Sequence, residues 1–240
     1  MSELHPLEEP PPPGTLLVLS PHLDDAVFAC GRLLASKPGA IVATVFAGRP
    51  PPGQALTDWD RAAGFSPGDD VVGWRREEDR AALDILGAEP RWLNLRDSQY
   101  GGADPGEVAD RLRELLSDCR PDTVLIPLGL FHSDHRLVRE AALSLLKPET
   151  RRRWLAYEDA LYRRIEGLRD QAIDDLKSRG FAPRPVTFQE SAQAELVKAG
   201  AVACYRSQLG ALATPGRPGL ADLEAPEAYW QLSPPPRKPS

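Results

Sequence analysis

The chain has 240 residues, 42% of them apolar, and is long enough to enclose one sizeable hydrophobic core. Its 29 basic and 35 acidic side chains give a formal net charge of -6, which excludes a nucleic-acid partner held mainly by counterion release. No run approaches the roughly 18 apolar residues of a membrane span, and three isolated cysteines favour a reducing cytoplasm, so we expect a cytoplasmic protein that is not membrane-embedded.

Proline dominates both ends of the chain. The run of prolines at positions 10–13 lacks backbone donors, so residues 1–13 predict a disordered leader. The last seven residues, PPPRKPS, predict a flexible tail over 234–240. A single domain is therefore expected over residues 14–233.

Two short, continuously apolar segments open the predicted domain, at residues 15–20 and 40–46. Their composition is typical of strands that are buried on both faces of a parallel sheet. The segment between them is long enough for a crossover helix and ends at Lys37-Pro38-Gly39. Residues 15–46 therefore predict a βαβ unit.

The alternation of strands and helices continues downstream. The pattern predicts a helix over 74–86, a strand over 91–95, a helix over 106–116, a strand over 123–127 and a helix over 135–146. Four strands alternating with helices predict an α/β fold with a Rossmann-like open, mostly parallel sheet and helices on both faces. Beyond residue 148 the periodicity weakens, and only a helix from about 189 to 209 is predicted.

A long connection follows the second predicted strand. Residues 48–72 contain four prolines and four glycines. The segment is longer than an ordinary connection between a strand and a helix. The sequence leaves two interpretations open, a disordered loop or a lid over a site.

Histidine and aspartate cluster directly after two of the predicted strands. The first cluster follows residues 15–20 and the second follows residues 123–127. Because ligands of parallel α/β sheets bind beyond the carboxyl ends of the strands, both clusters should meet at one edge. Together the clusters supply three imidazoles and three carboxylates, namely His22, Asp24, Asp25, His132, Asp134 and His135.

This set exceeds what one hydrolytic metal needs, which is three protein ligands and one open position for water. Nitrogen and oxygen ligands without sulfur suit Zn²⁺ first, with iron, manganese or cobalt as alternatives. Each cluster alone is equally consistent with a structural histidine or with an aspartate that caps a helix. Two clusters at equivalent positions of the sheet favour a catalytic metal site.

The two motifs, His22-Leu23-Asp24-Asp25 and His132-Ser133-Asp134-His135, resemble those of the PIG-L/LmbE-like zinc-dependent N-deacetylases. Further similarity lies at Arg75, ahead of a Leu-Gly pair, at Asp97, and at Tyr205-Arg206-Ser207-Gln208 near the C-terminus. The resemblance therefore covers roughly residues 15–210. The family removes acetyl groups from N-acetylglucosamine units of glycolipid precursors, low-molecular-weight thiols and some glycopeptide antibiotics.

The resemblance implies a role for each matching residue. His22, Asp25 and His135 would bind the metal, and Asp24 would be the general base. Arg75 and Asp97 would hydrogen-bond the substrate. We further expect a protonated His132 to stabilise the negative charge on the carbonyl oxygen. Asp134 is expected to orient the His132 ring and to raise the pKa of His132.

The chain departs from the family motif at two positions. Leu23 stands where the family has proline, and Ala26 stands where it has glutamate. An acid near the ligands is therefore missing, and metal affinity can differ from that of other members.

The expected function is a hydrolase of linear amide bonds that removes acetyl from an N-acetylglucosamine-type amino sugar of a small-molecule or glycolipid conjugate. Alternatives on the same site are an amidase of thiol-sugar conjugates or another metal-dependent hydrolase. A non-catalytic sugar-binding protein is a third interpretation, although such a protein has no use for the spare carboxylate of Asp24. The sequence leaves the oligomeric state open, a homo-oligomer included.

Overall fold

The computed structural model describes residues 7–147, 151–213 and 220–235. In these ranges eight strands form one sheet in the order β1-β7-β8-β6-β5-β2-β3-β4. The strands are β1 (Leu7–Glu9), β2 (Leu16–Ser20), β3 (Ile41–Thr44), β4 (Glu89–Trp92), β5 (Thr123–Pro127), β6 (Arg153–Tyr157), β7 (Arg184–Phe188) and β8 (Tyr229–Leu232). All neighbours are parallel except β8, which is antiparallel to β6 and β7.

Eight helices in the described ranges complete the fold. They are α1 (Asp25–Ala35), α2 (Asp58–Ala62), α3 (Val71–Leu86), α4 (Pro105–Cys119), α5 (Ser133–Leu145), α6 (Leu168–Ser178), α7 (Ala194–Val202) and α8 (Arg206–Leu212). Within these ranges no helix combines the length and the apolarity that crossing a membrane requires.

The sheet is covered on both faces. In β2, Leu16 and Val18 pack into one hydrophobic cluster with α1, α3 and α7, whereas Leu17 and Leu19 pack into a second cluster with α4, α5 and α6. Each face of the strand is thus removed from water, which is why the segment is continuously apolar. The predicted α/β class, with an open, mostly parallel sheet and helices on both faces, is confirmed.

The pairing of β2 with β5 positions the two clusters. These strands are parallel neighbours, with Leu17 opposite Val124 and Val18 opposite Leu125. The segments that follow Ser20 and Pro127 therefore leave the same edge of the sheet. Strand β6 lies on the other side of β5, so the segment after Tyr157 reaches this edge as well.

Two predictions for the chain termini and the C-terminal region need correction. Residues 7–9 are not part of a disordered leader, because they pair with β7 as an edge strand. Residues 1–6 and 236–240 of the predicted leader and tail lie outside the described residues. The helix predicted over 189–209 is two helices, α7 and α8. The buried Tyr205 stands between them and donates its hydroxyl to Asp79 at 2.8 Å, which fixes the break.

The long connection over residues 48–72 is ordered and contains α2. Thr57 and Asp60 form a reciprocal capping box at the start of this helix. Trp59 Nε1 donates to Gln208 Oε1 at 2.9 Å, which ties the connection to α8. Of the two interpretations of this segment, the disordered loop is wrong.

Candidate metal centre

A cavity of about 850 Å³ opens at the edge of the sheet where β2 and β5 end. His22 lies two residues beyond β2, Asp25 is the first residue of α1, and His135 lies in the first turn of α5. The cavity lining includes five of the six residues of the two predicted clusters, His22, Asp24, Asp25, His132 and His135. Residues 110 positions apart along the chain are thus brought together.

Three side chains converge on one point in this cavity. His22 Nδ1 lies 3.1 Å from Asp25 Oδ2, and His135 Nε2 lies 3.2 Å from the same oxygen. One ligand atom from each side chain falls within 4.8 Å of the others. In a tetrahedral zinc site with bonds of about 2.0–2.1 Å, neighbouring ligand atoms lie about 3.3 Å apart. The spacing of the three atoms therefore matches a shared metal ion.

Carboxylates on the far side of each ring fix the protons of the two imidazoles. Asp159 Oδ1 lies 2.6 Å from His135 Nδ1, and Asp134 Oδ2 lies 3.0 Å from His22 Nε2. A carboxylate can only accept, so in the neutral rings these outer nitrogens carry the proton. The inner nitrogens then present lone pairs toward Asp25. This is the arrangement of a carboxylate–histidine–metal site.

The carboxylates around the two imidazoles favour positive charge within this cluster. Burial alone would lower the pKa of the His135 imidazole, but Asp25 and Asp159 raise it to about 9. Asp134 and Asp25 likewise outweigh burial and raise the pKa of His22 well above its ordinary value. Two imidazoles and one carboxylate that require a cation between them fit a divalent metal.

A second group of potential ligands contains His22, His132 and Asp134. The carboxylate of this group, Asp134, is already engaged in hydrogen bonds. Its Oδ2 accepts from the backbone N–H and the hydroxyl of Ser98 and lies next to His22 Nε2. These contacts hold the outer nitrogen of His22. We therefore assign Asp134 to the support of the first group rather than to a second metal site.

The Asp24 side chain takes no part in the hydrogen bonds that hold the site together. It occupies the N-cap position of α1, but its side chain makes no capping hydrogen bond and has no hydrogen-bond partner among the described residues. The side chain is 8% exposed and lines the cavity. Burial, followed by the charge of Asp25, raises the pKa of Asp24 to about 7. A carboxylate with this pKa can exchange a proton near neutral pH.

His132 is neutral at physiological pH, contrary to the expectation of a protonated ring. Its Nδ1 accepts the backbone N–H of Asp134 at 3.2 Å, which leaves the ring proton on Nε2. Burial, together with the charges of His22 and His135, lowers the pKa of His132 to about 4. Asp134 does raise the pKa of His132, as expected, but burial and the charges of His22 and His135 outweigh it, since the Asp134 carboxylate lies 3.9 Å from this ring and faces His22 at 3.0 Å.

Arg75 and Asp97, the predicted substrate-binding residues, both line the cavity. The buried Arg75 places Nη2 2.9 Å from Asp60 Oδ1. Asp97 accepts the backbone N–H groups of Gln99 and Tyr100 and thereby caps a short 3-10 turn. Burial raises the pKa of Asp97. Each residue has a structural partner, and contact with substrate stays a prediction for both.

Two features of the site escaped the sequence analysis. Asp159, the partner of His135, follows β6 by two residues, and β6 itself was not predicted. The placement rule that found His22 would have found Asp159 once that strand was recognised. The second feature is the anchoring of α2, where Asp60 accepts the Tyr100 hydroxyl at 2.9 Å beside its ion pair with Arg75.

A family profile and a curated relative place the chain in one family. The profile of the GlcNAc-PI de-N-acetylases, PIG-L, matches residues 17–146. A 2'-N-acetylparomamine deacetylase from Streptomyces fradiae is 32% identical over 197 residues, which cover 71% of this chain and 65% of that relative. The chain thus spans just under two thirds of this relative's length.

Solved structures agree with this match. The zinc-inhibited form of teicoplanin deacetylase superposes with a TM-score of 0.76 and 27% identity, covering 91% of this chain and 97% of that chain. A deacetylase solved in complex with teicoplanin superposes with a TM-score of 0.74 and 26% identity, covering 93% of this chain and 100% of that chain.

Proposed function

The chain belongs to the PIG-L family, and from that premise we propose that it is a zinc-dependent hydrolase that removes acetyl from an acetylated amino sugar of a small glycoconjugate. The observation that carries the proposal is the Asp24 carboxylate. It lines the cavity next to the three converging ligands and is engaged in no hydrogen bond among the described residues. A purely structural metal site has no need of such a group.

His22, Asp25 and His135 would hold the metal. Bound there, a divalent ion would act as a Lewis acid toward the amide carbonyl and lower the pKa of a water to about 7. The donor set of nitrogen and oxygen atoms favours zinc among the divalent metals.

Asp24 is proposed to move the proton. With a pKa of about 7, its carboxylate takes a proton from the attacking water and can return it to the nitrogen of the leaving amine. Asp25, the next residue in the chain, holds one ligand position and raises the pKa of Asp24 by its charge. The two adjacent aspartates thus have different tasks because their surroundings differ.

His132 is proposed to stabilise the negative charge that develops on the carbonyl oxygen. Since its Nδ1 accepts from the backbone, the Nε2–H is the donor that this cavity-lining ring can offer. The low pKa of about 4 makes it a neutral donor, already in its working state at neutral pH.

The substrate class is inferred from the relatives. One acts on 2'-N-acetylparomamine and another is solved with teicoplanin, so both names refer to small glycoconjugates. Arg75 and Asp97 supply charged groups at the wall of the cavity that can hydrogen-bond a sugar. We therefore propose an N-acetylated sugar as the reacting unit.

Metal analysis combined with acetate release tests this proposal. We expect about one zinc per chain and acetate release from glycosides of N-acetylglucosamine. Asp24→Asn should retain zinc and lower kcat by about 10²–10⁴. Asp118→Asn, which changes an exposed carboxylate on α4, is the matched control and should keep full activity. Zinc-loaded protein that releases no acetate, or an active Asp24→Asn variant, would overturn the proposal.

A further inference from the structure

One side of the cavity is apolar. Phe131, Leu161, Tyr162 and Ile165 line it, and we refer to these four residues as the aromatic wall. Phe131 is 56% exposed and Ile165 is 42% exposed, although large apolar side chains gain free energy by leaving water. An exposed apolar surface inside a cavity indicates a binding surface for an apolar group.

The wall is continuous with the metal ligands. The rings of Phe131 and Tyr162 are stacked, with centroids 5.3 Å apart and planes inclined by 28°. The Tyr162 ring meets the His135 ring edge-on, with centroids 5.5 Å apart. A group that lies against the wall would therefore extend outward from the candidate reaction centre.

The backbone holds Phe131 in an unfavourable conformation. Its φ is 57°, and the His132 N–H donates to the Leu130 carbonyl at 2.7 Å across it. This is a three-residue turn with a positive φ at its centre, a rare and strained form for a residue with a side chain. A glycine would adopt this φ without the steric penalty. The turn thus places a large aromatic ring at a position where glycine would have the lower steric cost.

Two further contacts keep this geometry in place. Asp159, which accepts from His135, also accepts the Leu130 N–H at 2.8 Å through its second oxygen. On the other side of the wall, Leu161 also has a positive φ, 72°, and its N–H donates to Asp222 at 2.6 Å. Strain that the surroundings maintain at a cavity is typical of functional sites.

We propose that the aromatic wall binds an aromatic group joined to the amino sugar, so that the preferred substrates are glycosides with an aromatic aglycone. This inference rests on the proposed function. A stacked ring pair with an exposed face favours another ring, since aromatic groups pair at centroid distances of about 4.5–7 Å. A polar or charged aglycone would lose hydration against the hydrocarbon side chains of Phe131, Leu161 and Ile165, which offer it no hydrogen bonds.

Two glycosides that differ only in the aglycone provide the test. Zinc-loaded enzyme is compared on the phenyl and methyl β-glycosides of N-acetylglucosamine by acetate release. We expect kcat/KM to be about tenfold or more higher for the phenyl glycoside. The octyl glycoside serves as the aliphatic probe and should fall below the phenyl glycoside.

Variants of Phe131 assign the preference to the wall. Phe131→Gly removes the ring and relieves the positive φ, so the variant should fold, and the ratio of phenyl to methyl kcat/KM should fall at least about fivefold. Phe131→Leu keeps an apolar side chain without a ring and should lower the ratio less. Leu196→Ala removes an exposed apolar side chain on α7, outside the cavity lining, and should leave the ratio at the wild-type value.

The outcomes separate this inference from the proposed function. Equal kcat/KM for the phenyl and methyl glycosides, or an unchanged ratio in Phe131→Gly, would overturn the aromatic subsite while the deacetylase assignment stands. A preference for the octyl glycoside would overturn it in favour of an aliphatic aglycone. Acetate release from none of the three glycosides would overturn the proposed function, and the subsite with it.

Discussion

Asp159 accepts a hydrogen bond from Nδ1 of His135 at 2.6 Å, and both side chains are almost completely buried. The bond leaves the lone pair of Nε2 directed toward Asp25, 3.2 Å away. A residue that does not line the cavity thereby sets the tautomer and the orientation of a candidate metal ligand. Outer partners of this kind also increase the basicity of the ligand.

Asp159→Asn is therefore expected to weaken zinc binding by about 10–100-fold. The amide oxygen can still accept from His135, so the ring keeps a partner, but the negative charge that favours a cation is lost and the amide NH₂ no longer accepts the Leu130 N–H. Competition with a zinc chelator at fixed pH measures the affinity.

The control for this variant is Asp118→Asn, a change of the same type at an exposed position. Its zinc affinity should equal that of the wild type. An Asp159→Asn variant that also binds zinc with wild-type affinity would show that Asp159 does not tune the ligand.

The two shifted pKa values predict the shape of the pH profile. Asp24 acts as a base only when deprotonated, so kcat/KM should rise with pH and level off at or below about pH 7, since a bound cation lowers this pKa. His132 has a pKa of about 4 and is already neutral, so its deprotonation should produce no basic limb between pH 6 and 8. Zinc must be saturating, because protons compete for His22 and His135.

The profile distinguishes the neutral from the protonated form of His132. A loss of kcat/KM with a midpoint near pH 6.5 on the basic side would mean that the imidazolium is the active form. In Asp24→Asn the residual activity should lose the acidic limb, which assigns that limb to Asp24.

The edge of the sheet that carries the chemistry could be predicted from the sequence. β2 and β5 are buried on both faces, so their apolar runs are continuous, and the His/Asp motifs follow them directly. Strand β6 was missed because charged and aromatic residues begin it, and its partner β8 is antiparallel and distant in sequence. With β6 unrecognised, Asp159 had no place at the site.

The pairing of side chains within the site could not be predicted. Sequence proximity suggests that Asp134 orients His132, two residues earlier, but in the structure its carboxylate faces His22, 112 positions away. Which imidazole a carboxylate contacts depends on the register of two strands and on where a helix starts. These positions must be known to within about an ångström. Residue spacing along the chain carries no such information.

Asp60 holds the connection between β3 and α3 against the site. The carboxylate is 1% exposed, lies 2.9 Å from Arg75 Nη2 and accepts the Tyr100 hydroxyl. Asp60→Asn removes the charge that Arg75 faces and should destabilise the protein by about 1–3 kcal/mol. It should also raise KM, because Arg75 borders the cavity, and lower kcat, because the charge of Arg75 acts on the Asp24 carboxylate. Denaturant unfolding and steady-state kinetics measure the two effects.

A neighbouring aspartate provides the control. Asp58 lies on the same helix but is exposed and forms an ion pair with Arg61. Asp58→Asn should change stability by less than about 0.5 kcal/mol. Equal stability of the two variants would contradict the anchoring role of Asp60.

An ion pair is inserted into the backbone of α1, the helix that begins at Asp25. In a regular helix the Arg32 N–H would donate to the Phe28 carbonyl. Here it donates to Glu227 Oε1 at 2.8 Å, and the Phe28 carbonyl accepts from Lys198 Nζ at 2.8 Å. Lys198 and Glu227 also pair at 2.8 Å, and both are buried.

Gly31 makes room for this pair. A Cβ on this residue would lie 2.6 Å from Lys198 Cγ, closer than packed carbon atoms approach. The lysine side chain thus reaches the α1 backbone only because the helix carries a glycine there.

Lys198→Met should destabilise the protein by about 3–5 kcal/mol, because it leaves the Glu227 carboxylate buried without its countercharge. Adding Glu227→Gln should restore part of this loss, since no charge remains unpaired and the amide oxygen still accepts one of the two α1 N–H groups, those of Arg32 and Leu33, that the carboxylate accepts. Lys177→Met breaks an exposed pair on α6 and should cost less than about 0.5 kcal/mol. Denaturant unfolding of the single and double variants gives the coupling free energy. A Lys198→Met variant that loses less than about 1 kcal/mol would show that the pair does not stabilise α1.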